Sequence, residues 1–278
     1  NTSNISITGV TSGNLLNANA LLATLGNYGG PTATRALLPG SPAINAGNDA
    51  LAVDPNNQSL TTDQRGFARK VGTVDIGAFE SRGFTVAKSG DNQSAIPTTA
   101  FANALALTLS SAFGEPVAGG LITFTPVPNG GASATLSGSP ATLNANGVAS
   151  VSATANNVAG AYQVTANVNG PGSVVFNLSN ACATITVGTP TGGALGTAYS
   201  SSVAATPAVS APLNYRYSLV NNTTLPAGLT LDANTGAITG TPTTPGNVNF
   251  DIKAELFNSS TTTGCFATAT RSLNITCV

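Results

Sequence analysis

The sequence predicts an all-β protein, and three observations support that prediction. From Phe84 onward, apolar residues alternate with small or polar ones, for example at Leu105, Leu107 and Leu109, and a period of two is typical of half-buried strands. Clusters of Gly, Pro and Asn interrupt these runs at intervals of roughly 8–12 residues, the spacing of short strands in a sandwich or barrel. No stretch keeps the 3.6-residue period of an amphipathic helix. We therefore expect strands rather than helices to build the core.

The composition excludes several classes of function. Only 7% of the 278 residues are charged and the formal net charge is −1, whereas ordinary soluble domains carry about 25% charged residues. Because the chain has no basic cluster, it lacks the electrostatic footprint of a protein that binds nucleic acid or anionic membranes. The sequence contains no His, which excludes His-based catalytic triads and zinc sites with His ligands. No window of about 18 apolar residues is present, so we expect no membrane span.

Residues 1–82 differ from the rest of the chain. Short apolar runs, among them Ile5-Ser6-Ile7 and Ala36-Leu37-Leu38, are broken by Gly, Pro and Asn without hairpin turns. Short Asn-rich coils of this kind suit the last turns and the cap of a parallel β-solenoid. We therefore predict a β-solenoid-like cap segment over 1–82. Because the chain begins at Asn1 without a signal peptide, we expect either a mature protein or part of a longer one.

An internal comparison divides the remainder into two units. The segments Tyr162–Ala166 and Phe250–Ala254 share the pattern aromatic–x–aliphatic–x–Ala after a Gly turn. This pattern suits strand F of an immunoglobulin-like sandwich, and it places Tyr162 where such sandwiches carry a tyrosine corner. We therefore predict two Ig-like β-sandwich domains in tandem, 83–181 and 182–278, each near the roughly 100 residues of an Ig-like unit. One large irregular sandwich is the alternative.

Two blocks of the N-terminal segment resemble a known family. The first includes Asn27-Tyr28-Gly29-Gly30-Pro31 and Leu38-Pro39-Gly40-Ser41-Pro42, and the second includes Asp63-Gln64-Arg65-Gly66 and Asp75-Ile76-Gly77. Together they resemble a block of the choice-of-anchor type that closes a pectate-lyase-like parallel β-helix in large secreted bacterial proteins. The resemblance implies the C-terminal cap of a β-helix and an extracellular location.

Both sandwich regions resemble domains of bacterial surface proteins. The run Gly114-Glu115-Pro116-Val117-Ala118-Gly119-Gly120 is similar to the Ig-like domains of invasin-type adhesins. The runs Leu225–Asp232 and Thr235–Pro242 resemble the repeats known as "putative Ig" in bacterial surface proteins. These resemblances imply a stalk or an adhesin at the bacterial cell surface, a role of reach and contact rather than catalysis.

The three cysteines predict one disulfide. Cys182 stands at the start of the first strand of the second sandwich, which begins near the loop that precedes the last strand, so we expect it to reach Cys265. Such a bond requires an oxidising compartment, in agreement with export. Cys277 lies almost one domain length after Cys182 and resembles the first cysteine of a following repeat. The alternative is a thiol that cross-links a neighbouring subunit.

The charge-dense part of the chain lies in the N-terminal segment. We expect Arg65 and Arg69 to form structural ion pairs with Asp63 and Asp75, because the planar guanidinium suits carboxylate partners. The alternatives are a Ca²⁺ site, since carboxylate oxygens suit that ion, and an acid–base site of the lyase type. The acids that enter these alternatives are Asp54, Asp63, Asp75 and Glu80. Otherwise we expect no catalytic residue and no cofactor.

These observations favour a non-enzymatic extracellular structural protein, a stalk, an adhesin or a self-assembling filament subunit. Copies are expected to associate head to tail, with Ile5 and Ile7 at one end and Leu273 and Ile275 at the other as the assembly edges. A surface glycan or a cell receptor is a further candidate partner. The rival hypothesis is a truncated polysaccharide-acting β-helix enzyme or a carbohydrate-binding module.

Overall fold

The fold is all-β, as predicted. A computed structural model describes residues 18–169 and 172–277, so Ile5 and Ile7 lie outside the described residues. Within those ranges the chain forms eighteen strands, one short 3₁₀ helix (Asp49–Leu51) and no α-helix. The strands are β1 (Thr85–Ser89), β2 (Gln93–Ala95), β3 (Leu105–Ser110), β4 (Leu121–Val127), β5 (Ala134–Ser137), β6 (Ala141–Thr142), β7 (Val148–Ala155), β8 (Gly160–Asn167), β9 (Ser173–Asn180), β10 (Thr186–Val187), β11 (Gly193–Ala194), β12 (Tyr199–Ser202), β13 (Ala205–Thr206), β14 (Leu213–Val220), β15 (Leu229–Leu231), β16 (Ala237–Gly240), β17 (Gly246–Asn258) and β18 (Thr261–Thr276).

Strands β1 to β9 form the first sandwich, which consists of two sheets. The four-stranded sheet has the order β1-β3-β7-β5, and the five-stranded sheet has the order β2-β9-β8-β4-β6. Neighbouring strands are antiparallel except β2 and β9, which run parallel. The alternation in the sequence turns Leu105, Leu107 and Leu109 of β3 inward, where they are almost completely buried. The period of two therefore decides which side chains form this core.

Strands β10 to β18 form the second sandwich around a separate hydrophobic core. Its sheets have the orders β11-β18-β17-β14, β12-β16-β15 and β10-β13. The long strands β17 and β18 form a hairpin whose register runs from Gly246 opposite Ile275 to Asn258 opposite Thr261. Strand β14 pairs with β17 along all eight of its residues and lies at the edge of its sheet.

Residues 18–82 carry isolated antiparallel bridges instead of extended strands. Leu22, for example, pairs with Leu37 in one such bridge. The sequence predicted a β-solenoid-like cap, but the described residues show no stacked parallel coils, because Gly, Pro and Asn end each apolar run within a few residues. Buried side chains of this segment, Phe79 among them, instead join the hydrophobic core of the first sandwich.

Gly40 lies where the N-terminal segment crosses the first sandwich. Its φ of +86° is left-handed, and a Cβ there would collide with the carbonyl oxygen of Leu121 at the start of β4. The N–H of Leu121 donates to the carbonyl oxygen of Pro39 over 2.9 Å. Only glycine combines this backbone conformation with so close an approach.

Tyr162 is buried on β8, but its hydroxyl has no hydrogen-bond partner among the described residues. The predicted tyrosine corner is therefore not formed, since that motif needs a hydrogen bond from the hydroxyl to the backbone. Burial raises the pKa of Tyr162 to about 12. In the second sandwich, by contrast, the Tyr217 hydroxyl accepts a hydrogen bond from the N–H of Ala205 over 2.8 Å.

We expect Tyr162→Phe to leave the free energy of unfolding unchanged or to raise it, because the substitution removes a buried hydroxyl that forms no hydrogen bond. Tyr217→Phe is the matched control and should lower the free energy of unfolding by about 1 kcal/mol, because the Ala205 N–H loses its partner. Urea unfolding of both variants measures the difference. Equal losses of stability in the two variants would contradict the prediction.

Candidate functional site

Six charged side chains meet in the interior at the contact between the N-terminal segment and the first sandwich. Glu115 comes from the loop between β3 and β4, and the other five come from the N-terminal segment. We call the set the ionic junction, and every member is at most 9% exposed. Its members are Asp63, Arg65, Arg69, Asp75, Glu80 and Glu115.

Arg65 is the centre of the ionic junction. Its Nη2 lies 2.8 Å and its Nε 2.9 Å from Oδ2 of Asp63, and its Nη1 lies 3.3 Å from Oε1 of Glu115. The guanidinium carbon stands 3.6 Å from the centre of the Phe79 ring, a cation–π contact. One side chain therefore binds a carboxylate of its own segment and a carboxylate of the sandwich.

Glu115 fixes the loop of the sandwich to the chain that enters it. Both of its carboxylate oxygens accept from the Arg82 N–H at 3.1 Å, and Oε2 also accepts from the Ser81 hydroxyl at 3.1 Å. The donors to Glu115 therefore come from two separate stretches of the N-terminal segment, one at Arg65 and one at Ser81 and Arg82. In the sequence Glu115 stands in an adhesin-like turn, and no pattern around it indicates this role.

Arg69 pairs with Glu80 and not with the predicted Asp75. Its Nη1 lies 2.8 Å from Oε2 of Glu80, while its Nη2 donates to the carbonyl oxygens of Asp75 and Gly77. The Asp75 carboxylate instead accepts backbone N–H bonds from Asn45 and Ser81, each at 2.6 Å. Of the predicted ion-pair residues, Arg65 and Asp63 do form an ion pair. Asp75 does not pair with either arginine, because the loop turns its carboxylate toward backbone donors.

The ionic junction holds four acids and two arginines, so it has an excess of negative charge. Burial raises the pKa values of Asp75 and Glu80, although their backbone hydrogen bonds oppose this effect. For Asp63, burial also acts to raise the pKa, but hydrogen bonds from Arg65 and from backbone N–H groups outweigh it. The pKa of Asp63 therefore lies below its ordinary value.

These directions predict a stability maximum on the acidic side of neutrality. As pH falls from 7, protonation of Asp75 and Glu80 in the folded state relieves buried charge, so the free energy of unfolding rises. At still lower pH Asp63 must be protonated, and the stabilisation it provides above its unfolded pKa is lost. Urea unfolding across pH 3–8 measures the profile, and Glu80→Gln should flatten its mildly acidic limb. A profile that falls steadily from pH 7 downward would contradict the prediction.

The structure does not assemble the predicted calcium ligands. Asp54 lies apart, where its Oδ1 accepts from the N–H groups of Asn56 and Gln58 at 2.8 Å. Asp63, Asp75 and Glu80 do share the ionic junction, but Arg and backbone N–H donors occupy their carboxylates. Over residues 18–169 and 172–277, no group of three or more His, Cys, Asp or Glu is placed to hold a metal ion.

The second sandwich contains the predicted disulfide. Cys182 follows β9 by two residues and is bonded to Cys265 of β18, with a Cα–Cα distance of 5.4 Å. The thiol of Cys277 is free and exposed. The disulfide thus attaches the connection between the sandwiches to the last strand of the second.

Leu273 and Ile275, which the sequence predicted as an assembly edge, lie near the end of β18. Both side chains are buried in the core of the second sandwich. Strand β18 pairs with β17 on one side, and near Ile275 it pairs with β11 on the other. The predicted assembly edge is therefore closed at Ile275, where β18 has a strand on each side, whereas at Leu273 β18 pairs with β17 alone.

Each sandwich has a surface groove that is a further candidate site. A groove of 440 Å³ on the first sandwich is lined in part by the amides of Asn129, Gln163 and Asn177. A groove of 530 Å³ on the second lies beside β14 and β15 and includes Leu225 and Leu229. Neither lining includes Asp, Glu, Lys or Arg, so neither groove offers a carboxylate for acid–base catalysis.

Comparisons with known proteins add one family match. The family described as "Putative Ig domain" matches residues 182–276, which is the second sandwich. No curated protein matches the sequence. Among the described residues, the structure has no helix with the length and apolar character needed to cross a bilayer.

Three solved structures illustrate the remaining similarity. The adhesin InvE of Yersinia pseudotuberculosis is 20% identical over 69% of this chain and 58% of its own, with a TM-score of 0.29. The Escherichia coli adhesin FdeC is 16% identical over 70% and 63%, with a TM-score of 0.27. A "putative alpha-galactosidase" of Bacteroides fragilis is 19% identical over 33% and 17%, with a TM-score of 0.24. The chain spans less than two thirds of each of these proteins, and we base no argument on such low TM-scores. The family match is therefore what the comparisons contribute: the second sandwich, residues 182–276, is similar to the "Putative Ig domain" family.

Proposed function

We propose that this chain is a non-enzymatic structural protein of the bacterial cell surface, serving as a stalk or an adhesin. One observation carries the proposal: the charge-dense cluster of the chain is buried and its groups bind one another, so it joins two parts of the molecule. A catalytic site needs reactive groups that a substrate can reach. The side chains of the ionic junction are at most 9% exposed, so a substrate cannot reach them.

Three further observations support the proposal. The family match gives the second sandwich an Ig-type fold, which is a common building unit of cell-surface proteins. The disulfide between Cys182 and Cys265 is stable in an oxidising compartment such as the cell exterior. The low content of charged residues also weakens repulsion between copies that lie side by side.

The test is turnover on a panel of acidic and neutral glycans, with Ca²⁺ and with a chelator. We expect no turnover under either condition. Asp63→Asn and the matched surface variant Asp54→Asn separate the two explanations of any activity that is found. Turnover that Asp63→Asn abolishes and Asp54→Asn leaves intact, with both variants folded, would overturn the proposal in favour of a polysaccharide-acting enzyme.

A specific contact for an adhesin is the groove on the first sandwich. Its amides from Asn129, Gln163 and Asn177 are hydrogen-bonding groups without charge, and such groups suit a neutral glycan. Gln163→Ala and Asn129→Ala should weaken binding on a glycan array, whereas Asn214→Ala on the second sandwich should not. If all variants bound the glycan array equally, this groove would not be the glycan-binding site.

We further propose that copies associate head to tail. The Ile5-Ser6-Ile7 run alternates as a strand does, and β14 is open on one side along its whole length, which offers an edge to which another strand can be added. Deletion of residues 1–8 should leave both sandwiches folded and abolish oligomers in gel filtration. A full chain that stays monomeric at high concentration, or a deleted chain that forms the same oligomers, would refute the association.

A further inference from the structure

The path that tension follows through the second sandwich is set by its disulfide. Cys182 lies at the entrance to this sandwich and Cys265 lies in its last strand, with a sequence separation of 83 residues. We infer that this bond is a covalent bypass, which carries tension past most of the second sandwich. The inference rests on the proposed role as a stalk, because only a protein under tension uses such a path.

The bypass follows from connectivity. A pull between the N-terminal segment and the end of β18 acts along the shortest covalent route, which enters at Cys182 and crosses the disulfide to Cys265. Residues 183–264 then form a closed loop beside that route. Tension reaches this loop only through hydrogen bonds and packing, so the loop cannot be pulled out while the bond is intact.

The part of the sandwich that remains under tension is already extended. From Cys265 the route continues along β18 to Thr276, and a strand spans about 3.3 Å per residue, close to the limit of the chain. This stretch is also held sideways: the Arg271 side chain donates to the carbonyl oxygens of Val187 and Gly188. The oxidised second sandwich therefore has almost no length to release.

The first sandwich has no such protection. All three cysteines of the chain lie at or after Cys182, so every residue of β1 to β9 is on the route of tension. When its hydrogen bonds fail, the first sandwich should release its whole chain length. The two sandwiches thus differ in extensibility although both are Ig-like, and the first is the one that yields.

Reduction converts the second sandwich from inextensible to extensible. A dithiol such as dithiothreitol gives two electrons and two protons to the bond, which yields the thiols of Cys182 and Cys265, while the reductant closes to its cyclic disulfide. Cys182 is exposed and Cys265 is buried, so attack proceeds from the Cys182 side. The loop freed by reduction is about 29 nm long at roughly 3.5 Å per residue.

Single-molecule force spectroscopy of the full chain, held by its two ends, tests the bypass. All samples carry Cys277→Ser, so that the free thiol cannot exchange with the bond. The oxidised protein should show the unfolding event of the first sandwich and no comparable event from the second. Under constant force, addition of dithiothreitol should then produce a single further step that corresponds to a gain in contour length of about 29 nm.

The double variant Cys182→Ser/Cys265→Ser should show both events without reductant. Because the reductant experiment starts from oxidised protein, it remains decisive even if the double variant folds poorly. Two full unfolding events in the oxidised protein, or no step on reduction, would overturn the bypass. Those results would not affect the proposed structural role. Glycan turnover, by contrast, would overturn the structural role without changing the result of the force experiment.

Discussion

Arg65→Met should lower the free energy of unfolding of the first sandwich by about 3–5 kcal/mol, because it leaves buried carboxylates without their partner. The carboxylates affected are those of Asp63 and Glu115, which Arg65 binds from opposite sides. Met keeps much of the volume of the side chain, so the loss measures charge and hydrogen bonding more than a cavity. Urea unfolding followed by circular dichroism gives the value.

The matched control is Arg35→Met in the same segment. Arg35 is exposed, and its guanidinium donates a hydrogen bond to the carbonyl oxygen of Ala23. This substitution should change the free energy of unfolding by no more than about 0.5 kcal/mol. If the two substitutions lowered the free energy of unfolding by similar amounts, the ionic junction would stabilise the protein no more than an exposed charge does.

Removal of the disulfide should have the second large effect. In the chain-entropy account, a bond that closes a loop of this length stabilises by about 4 kcal/mol, so Cys182→Ser/Cys265→Ser should lose roughly that much. The loss should fall on the transition of the second sandwich, because the two sandwiches have separate hydrophobic cores.

Cys277→Ser serves as the control for the disulfide, because that thiol is free and exposed. Its unfolding curve should match the wild type. Alkylation without reductant, followed by intact-mass measurement, should label one thiol of three in the wild type. Labelling of all three thiols, or a double variant as stable as Cys277→Ser, would contradict the assigned role of the bond.

The sequence was most informative where one physical rule dominates. Alternation alone identified Leu105, Leu107 and Leu109 as core residues, because a strand turns successive side chains to opposite faces. The disulfide followed from the position of Cys182 relative to Cys265 in a sandwich. In the first case a local pattern determines the outcome; in the second, the strand order of an Ig-like sandwich brings together two cysteines 83 residues apart.

The sequence was less informative where loops decide the contacts. Glu115 stands between Gly114 and Pro116 and resembles an ordinary turn residue, yet folding brings it to Arg65, fifty positions earlier. Asp and Glu outnumber Arg in the N-terminal segment. The charges of that segment therefore gave no reason to expect that Arg65 also binds an acid from the first sandwich. The same limit explains why Asp75, and not Glu80, was included among the ion-pair residues, since only the path of the loop brings Glu80 to Arg69.

The assembly edges show a third kind of limit. Leu273 and Ile275 have the alternation of any strand, and alternation does not tell an edge strand from an interior one. The structure shows β18 paired with β17 and, near its end, with β11. β14 is an edge strand of the same sheet, and its sequence carries no mark that distinguishes it from its neighbours.

The ionic junction joins the N-terminal segment to the first sandwich through the contact between Arg65 and Glu115. A double-mutant cycle with Arg65→Met and Glu115→Gln measures this by urea unfolding of the wild type, the two single variants and the double variant. We predict a coupling free energy of at least about 1 kcal/mol, because the two groups are in contact and buried. Additive effects, with a coupling near zero, would show that Arg65 and Glu115 do not act together in solution and would contradict the account.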